Sequence, residues 1–225
     1  MAVILNGILT AQELSTLHAE LAGANWTDGT STAGPQARSV KSNQQLSPED
    51  AVATRGAALL TGALARHGGF LAAALPRRHT VPMFSRYGPG QAYGEHIDNA
   101  LRIQGQERLR TDLAATLFLA DPASYDGGEL VIETGLGAPA IKLQAGQMIL
   151  YPATTRHRVA PVTRGQRTAA VLWVQSMVRD ERHRELLLDL DRTTQALSHE
   201  RGANDPQVVA LTGTYHNLLR LWLES

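Results

Sequence analysis

The sequence predicts an α+β protein in which a β-rich centre is flanked by helices near both ends of the chain. Three observations support this prediction. Leucines spaced three and four residues apart mark helical faces near the amino and carboxy termini. Between about residue 80 and residue 177, short β-type runs alternate with Gly, Pro, Asp and Asn. The length of 225 residues suffices for one large domain, or for one domain with helical additions.

The first helix is predicted from about Thr10 to Gly23. Thr10 and Glu13 fit a capping box, in which each side chain accepts a hydrogen bond from the backbone N–H of the other residue. One buried face is marked by Leu14, Leu17 and Leu21. The Gly-, Ser- and Thr-rich stretch 28–34 then predicts a turn.

A second helix is predicted to begin at the capping signal Ser47-Pro48-Glu49-Asp50 and to run to about His67. Its buried face consists of small and apolar side chains, namely Ala53, Ala57, Leu60 and Leu64.

The centre is predicted to form strands near 80–87, 92–98, 113–120, 129–133, 139–143, 147–151, 157–161 and 167–177. Asp126-Gly127-Gly128 and Ala145-Gly146 are turn signals between them. Many short strands with regular turns are typical of a sandwich or barrel. We therefore expect a double-stranded β-helix (jelly-roll) core with flanking N- and C-terminal helices.

The pattern becomes helical again after Met177, and Asp205-Pro206 is a plausible start for the last helix. The expected organisation is an N-terminal helical support region (1–77), a jelly-roll domain (78–177) and a C-terminal helical region (178–225). The apolar C-terminal helices could pack on the barrel, which is the simpler expectation, or form a dimer interface. A homo-oligomer therefore remains open.

Composition narrows the function classes. Lys plus Arg equals Asp plus Glu, at 21 each, so no general charge excess favours nucleic-acid binding. The absence of cysteine excludes disulfides, thiolate metal sites and a cysteine nucleophile. The sequence shows neither a signal-peptide pattern nor an apolar stretch of bilayer length. We expect a cytoplasmic protein with no nucleic-acid or membrane partner.

Three residues could form a metal site. His96 and Asp98 are two apart, so on one strand their side chains would point to the same face. His157, at the start of a later β-type run, is the best candidate for a third ligand. Two imidazoles and one carboxylate form the facial triad that leaves positions on Fe(II) open for a keto acid and dioxygen.

Arg167 begins the strand that follows His157. A guanidinium can bind a carboxylate with two parallel hydrogen bonds, so Arg167 could hold the far end of a dicarboxylate co-substrate. Strand alternation places further pocket positions on the same face, at Ala169, Val171 and Trp173.

The residues that carry these features resemble a known family. The stretch 86–100, Arg-Tyr-Gly-Pro-Gly-Gln-Ala-Tyr-Gly-Glu-His-Ile-Asp-Asn-Ala, resembles the iron-binding segment of bacterial PKHD-type hydroxylases, relatives of the prolyl 4-hydroxylases. The stretches 110–119, 124–130, 175–180 and 215–220 extend the resemblance over nearly the whole chain. It implies an Fe(II)- and 2-oxoglutarate-dependent dioxygenase, with iron on His96, Asp98 and His157 and the 2-oxoglutarate C5 carboxylate on Arg167. It also implies L-ascorbate as an accessory that keeps the iron ferrous.

Two tyrosines precede the His-x-Asp pair, as in prolyl hydroxylases, where such residues line the co-substrate or substrate pocket. Tyr87 precedes a Gly-Pro-Gly turn and is a candidate for co-substrate binding. Strand parity places Tyr93 on the face opposite to His96 unless a bulge intervenes, which makes packing an equal alternative.

Two other functions are compatible with the same ligands. One is a cupin-like metalloenzyme that uses no keto acid, against which Arg167 argues. The other is a non-catalytic iron-binding protein, which has no need of open coordination positions. The substrate is not identified by the sequence and could be a peptide, a free amino acid or a small metabolite.

Overall fold

A computed structural model of the protein describes residues 2–30, 38–135 and 137–224. Within the described ranges, the helices are α1 (Ala11–Ala22), α2 (Ala51–Arg66), α3 (Gly68–Ala74), α4 (Glu181–Arg201) and α5 (Pro206–Trp222), and Pro122–Ser124 form a 3-10 turn. None of the helices described combines the length and the apolar character needed to cross a bilayer.

The strands up to the middle of the chain are β1 (Val3–Leu5), β2 (Trp26–Asp28), β3 (Lys41–Ser42), β4 (Gln44–Leu46), β5 (Pro76–His79), β6 (Met83–Tyr87), β7 (Ala92–His96), β8 (Leu101–Gln104), β9 (Glu107–Arg110) and β10 (Leu113–Phe118). Those that follow are β11 (Asp126–Gly127), β12 (Leu130–Ile132), β13 (Ala140–Ile141), β14 (Met148–Pro152), β15 (His157–Val159), β16 (Val162–Arg164) and β17 (Arg167–Ser176).

The strands form two main antiparallel sheets. The larger has the order β1-β14-β10-β17-β6-β4-β2, with β5 also paired to β17, and the smaller has the order β13-β12-β15-β7-β3. Successive strands often belong to different sheets, as β6 and β7 or β14 and β15 do. The chain therefore crosses repeatedly between the sheets, which brings β7 and β17 to one interior although they are distant in sequence.

The core has three parts. The facing sides of the two sheets share one apolar cluster, which includes Phe118, Leu130, Ile132, Ile149 and Val159. The other side of the larger sheet packs against α1 and α2 in a cluster that includes Leu17, Leu60, Leu64, Leu117 and Leu172. A third cluster joins the C-terminal helices to the end of β17 and includes Leu75, Val178, Leu187 and Trp222. The predicted β-rich centre with helices before and after it is thus confirmed.

The structure shows which residues cap the two N-terminal helices. Thr10 caps α1, and the reciprocal bonds of the capping box with Glu13 are both present. The second helix begins at the end of the predicted capping signal 47–50, because Asp50 is its N-cap and its carboxylate accepts from the N–H groups of Val52 and Ala53. The Ser47 hydroxyl accepts only from the Glu49 N–H, in the turn before the helix.

Several strand boundaries also need correction. The predicted strand 80–87 begins only at Met83, as β6, after Pro82, which has no N–H for a ladder. The strand β5 lies before the predicted range and was not predicted. The predicted strand 92–98 ends at His96, so Asp98 lies in the following loop. The strands β1 to β4 and the hairpin β8–β9 were not predicted. Of the predicted turn 28–34, Asp28 ends β2 and positions 31–34 lie outside the described residues.

The β8–β9 hairpin escaped prediction because its strands are mostly polar. Its two-residue connection is Gly105-Gln106, and Gly105 has a φ of 61°, as the first central residue of a type II′ turn requires. The hairpin follows Asp98 directly along the chain, so it extends beside the site that Asp98 enters.

Candidate metal centre and co-substrate pocket

The structure brings His96, Asp98 and His157 together. His96 and His157 are direct partners across β7 and β15, and their ring centroids lie 4.3 Å apart. Asp98 follows the end of β7, with Oδ2 3.8 Å from Nε2 of His157. One ligand atom from each residue lies within 4.8 Å of the other two. The three side chains can therefore reach a single ion.

Local hydrogen bonds orient both imidazoles. Nδ1 of His96 lies 2.8 Å from the Gly94 carbonyl oxygen, and Nδ1 of His157 lies 2.9 Å from the Thr155 carbonyl oxygen. Because a carbonyl oxygen only accepts, each Nδ1 is the donor in its bond, and Nε2 is the nitrogen left to bind a metal. Such backbone bonds are what fixes the tautomer of a metal-binding histidine.

The electrostatics of the three residues fit a cation. Burial, and then the neighbouring His157, lower the pKa of His96, which keeps that ring neutral. Oδ2 of Asp98 is buried and has no hydrogen-bond partner. A buried carboxylate oxygen without a partner is costly unless a cation meets it. Two imidazoles and one carboxylate that line a cavity suit Fe(II).

Arg167 lies in the same cavity, whose lining includes His96, Asp98, His157, Tyr87, Arg167 and Trp173. We call it the central cavity. Arg167 is only 2% exposed and lies between two rings, with Cζ 5.4 Å from the Tyr87 centroid and 5.2 Å from that of Phe118. Its Nε has no hydrogen-bond partner, and no carboxylate of the described chain forms an ion pair with it. The cavity thus holds a buried cation suited to an anionic ligand.

Tyr87 lies beside this guanidinium, as the direct partner of Arg167 across β6 and β17. Burial raises the pKa of the Tyr87 phenol. Tyr151, whose ring meets His157 edge-on at 5.2 Å, has its pKa raised by burial as well. Both hydroxyls therefore stay protonated at neutral pH and can donate hydrogen bonds to an anion in the cavity.

Two family models match the chain. The 2OG-Fe(II) oxygenase superfamily matches residues 82–175, which carry the three predicted iron ligands and both predicted co-substrate residues. The PKHD-type hydroxylase C-terminal domain matches residues 181–224. A PKHD-type hydroxylase of Burkholderia ambifaria is 47% identical over the full length of both chains. One of Caulobacter sp. strain K31 is 50% identical over 96% of each chain.

The chain belongs to the PKHD-type hydroxylases. Together with the superfamily match, this makes it an Fe(II)- and 2-oxoglutarate-dependent dioxygenase. Its fold is similar to that of a prolyl hydroxylase from Trichoplax adhaerens, with a TM-score of 0.55 and 16% identity over 82% of this chain and 86% of the other. At that identity the likeness concerns the fold alone.

Tyr93 of this PKHD-type hydroxylase lies where simple strand parity does not place it. His96 faces His157 while Tyr93 faces Val159, so three residues of β7 span two of β15 and a bulge intervenes. The extra residue turns Tyr93 to the face of His96, and their rings stack with centroids 3.7 Å apart. The expectation from parity is wrong, and the bulge named as its exception is present.

A signal for this bulge was in the sequence. Gly94 lies inside a strand pattern, where an isolated glycine indicates a bulge or a close backbone approach. A Cβ at Gly94 would lie 2.7 Å from Cβ of Val40, and the Gly94 N–H donates to the Val40 carbonyl. The glycine therefore permits both the bulge and the pairing of β3 with β7.

Two cations in the lining of the PKHD-type hydroxylase cavity were missed. They are Lys41 on β3 and Arg102 on β8. The strand β3 reaches the cavity by pairing with the distant β7, and the β8–β9 hairpin lies there because β9 packs against the distant β17. No local pattern therefore marks either residue as internal. Trp173, Val171 and Arg167 all line the cavity, as expected, whereas Ala169 does not.

Proposed function

We propose that His96, Asp98 and His157 bind Fe(II) in this dioxygenase and that Arg167 binds the C5 carboxylate of 2-oxoglutarate. The observation that carries the proposal is a pair of opposite, unsatisfied charges in one cavity. Oδ2 of Asp98 has no donor and Nε of Arg167 has no acceptor, although both atoms are buried. A cation at the first and a dicarboxylate reaching the second would satisfy both.

The reaction is the hydroxylation of an unidentified substrate with release of succinate and CO2. When bound, iron supplies the oxygen-activating redox chemistry, which the protein cannot supply itself. The role of the chain is positional. Its carbonyls at Gly94 and Thr155 hold the two imidazoles, and Tyr87 and Arg167 orient the co-substrate. The apolar lining from Leu130, Val159 and Val171 excludes water from the reacting centre.

The finer points of fold and setting are part of the proposal. The alternation of strands between two antiparallel sheets supports a double-stranded β-helix. The division at residues 77 and 177, L-ascorbate as accessory, a cytoplasmic location and the absence of nucleic-acid and membrane partners stay predictions.

The substrate can be a small molecule or a peptide. The Trichoplax prolyl hydroxylase is described in complex with a peptide fragment of the oxygen degradation domain of hypoxia inducible factor. That fold likeness makes a peptide one candidate here without assigning proline as the target. A cupin-like enzyme without a keto acid, or a non-catalytic iron protein, would have no use for the buried cation at Arg167.

The test is succinate formation by the purified protein with Fe(II), ascorbate and 2-oxoglutarate, without added substrate. We expect slow uncoupled turnover that disappears in His96→Ala, because the ion loses a ligand. His199→Ala is the control, since His199 lies on an exposed part of α4. Full decarboxylation by His96→Ala would refute the ligand assignment.

A further inference from the structure

Lys41 is a buried cation beside the proposed iron centre. It faces Tyr93 across β3 and β7, and its Nζ lies 5.3 Å from the centroid of the Tyr93 ring. That ring in turn stacks on His96. The residue is 7% exposed and lines both the central cavity and a neighbouring surface cleft with Asp28, Asn43 and Gln91. It is therefore placed between the metal and the route from solvent. The Asp28 carboxylate in that cleft raises the pKa of Lys41, but less than burial and Arg102 lower it.

Arg102 is a second cation in the same lining. Its Cζ lies 3.6 Å from the centroid of the Trp173 ring, and its Nε is buried without a hydrogen-bond partner. Burial lowers the pKa of Arg102, and the negative charge of Asp98 raises it in part. In the proposed centre the Asp98 charge is engaged by iron, so it no longer balances the guanidinium.

The loaded cavity keeps an excess of positive charge. Its described lining holds three cationic side chains, Lys41, Arg102 and Arg167, and one carboxylate, Asp98. Fe(II) and 2-oxoglutarate carry equal and opposite charges, so binding both leaves the excess unchanged. Lys41 and Arg102 also repel each other, and burial and this repulsion lower the pKa of Lys41 to about 8. An anion bound between Lys41 and Arg102 would reduce their mutual repulsion and stabilise both buried positive charges.

We propose that the substrate carries an anionic group, a carboxylate or a phosphate, which Lys41 and Arg102 bind at the outer side of the central cavity. This inference rests on the proposed function, because it assigns Arg167 to the co-substrate and leaves the other two cations to the substrate. A planar guanidinium and an ammonium together suit an oxyanion. The rings of Tyr93 and Trp173, over which the two cations lie, add aromatic surface to this part of the lining.

The test compares small aromatic ligands that differ in charge. The full-length protein, loaded with Mn(II) and 2-oxoglutarate, is titrated by calorimetry with benzoate, with phenyl phosphate and with neutral benzamide. Benzoate and benzamide are nearly isosteric, so their difference reports charge, and phenyl phosphate distinguishes the two anion classes. The variants are Lys41→Met and Arg102→Met, which keep side-chain length. Arg108→Met is the matched control, since Arg108 is exposed on β9 of the same hairpin.

We expect the loaded wild type to bind one of the anions about tenfold or more tightly than benzamide, which is the effect of one charge-assisted contact. Lys41→Met and Arg102→Met should each reduce this preference, and Arg108→Met should retain it. Equal affinity for the three probes, or a preference that survives both cavity substitutions, would overturn the inference while Mn(II) and 2-oxoglutarate still bind. Failure of the wild type to bind those two would instead overturn the proposed function, and the inference with it.

Discussion

At the scale of single residues, the charges of the central cavity explain its chemistry better than its shape does. Asp98 and Arg167 are buried, and each has a polar atom without a partner. Leaving such atoms unsatisfied costs folding free energy, on the order of 1–3 kcal/mol for each group. Such unsatisfied atoms are expected where a bound ligand supplies the missing partner. The two residues therefore mark the ends of the space that metal and co-substrate would occupy.

Arg167→Met tests the anionic end of that space. The substitution keeps most of the side-chain volume between Tyr87 and Phe118 but removes the cation. We expect the KM for 2-oxoglutarate to rise on the order of a hundredfold, because a buried charged contact is lost. Metal affinity should stay unchanged. Steady-state kinetics of uncoupled turnover measures the first and calorimetry with Mn(II) the second.

Arg158→Met is the control for this substitution. Arg158 lies on β15 next to His157, but its side chain is exposed on the other face of the strand. An unchanged KM in Arg167→Met, or an equal increase in Arg158→Met, would remove Arg167 from the co-substrate site.

At the scale of the element, the bulge of β7 decides which residues enter the cavity. A regular strand would turn Tyr93 away from His96, and Lys41, its partner on β3, would turn with it. One extra residue in β7 brings both side chains to the metal side. The bulge therefore links the position of the proposed iron ligand to that of the proposed substrate-binding lysine.

Gly94→Ala tests this element. The added Cβ would lie within 2.7 Å of Cβ of Val40, so β3 or the bulge must move. We expect a loss of about 1–3 kcal/mol in the free energy of unfolding, which is typical of overpacking. Uncoupled turnover should fall as well, since His96 lies two residues away. Urea unfolding and succinate formation measure the two effects.

Gly213→Ala is the matched control, because Gly213 lies in α5 and nothing approaches its Cβ position within 4 Å. In a helix this change should be neutral or stabilising. If Gly94→Ala has the unfolding free energy and turnover of the wild type, the backbone can accommodate a Cβ at this position and the bulge does not depend on glycine.

At the scale of the whole molecule, the proposed ligands join the two sheets. His96 and His157 belong to the smaller sheet and Arg167 to the larger one, so metal and co-substrate together would connect them across the cavity. The helices α1 and α2 cover the other side of the larger sheet and hold it in place. Ligand binding should consequently stabilise the entire fold and not only the site.

Thermal unfolding tests this coupling. Mn(II) with 2-oxoglutarate at about 100 times its dissociation constant should add about 2.7 kcal/mol of stability. For a chain of this size that corresponds to an increase of about 5–10 °C in Tm. His96→Ala should show no such increase with Mn(II), and His199→Ala should behave as the wild type does. An unchanged wild-type Tm at saturation would contradict the proposed binding of both ligands between the sheets.

The sequence by itself determined the local features. These features are the capping box at Thr10, the leucine spacing of α1 and the turn at Ala145-Gly146. They depend on neighbours a few residues away, so local steric and hydrogen-bonding rules are enough to predict them. The predicted turn at Asp126-Gly127-Gly128 is wrong, because Asp126 and Gly127 form β11 by pairing with the distant β16. The order of His96, Asp98, His157 and Arg167 also identified the candidate ligands, because few kinds of active site need two imidazoles, a carboxylate and a guanidinium in that order. The signal 47–50 left open which of its residues caps the helix, and the structure shows that Asp50 does.

Only the tertiary structure decided which residues meet. Lys41 entered the cavity because β3 pairs with β7, and Arg102 because the β8–β9 hairpin brings it onto Trp173, which is 71 positions further along the chain. Tyr93 faced His96 because the register of β7 against β15 accommodates an extra residue. The physical reason is common to all three. Each position depends on contacts between segments far apart in sequence, which are the pairing and register of β3, β7 and β15 and the packing of the β8–β9 hairpin against β17. In a paired strand, a shift of one residue reverses the face of every side chain that follows.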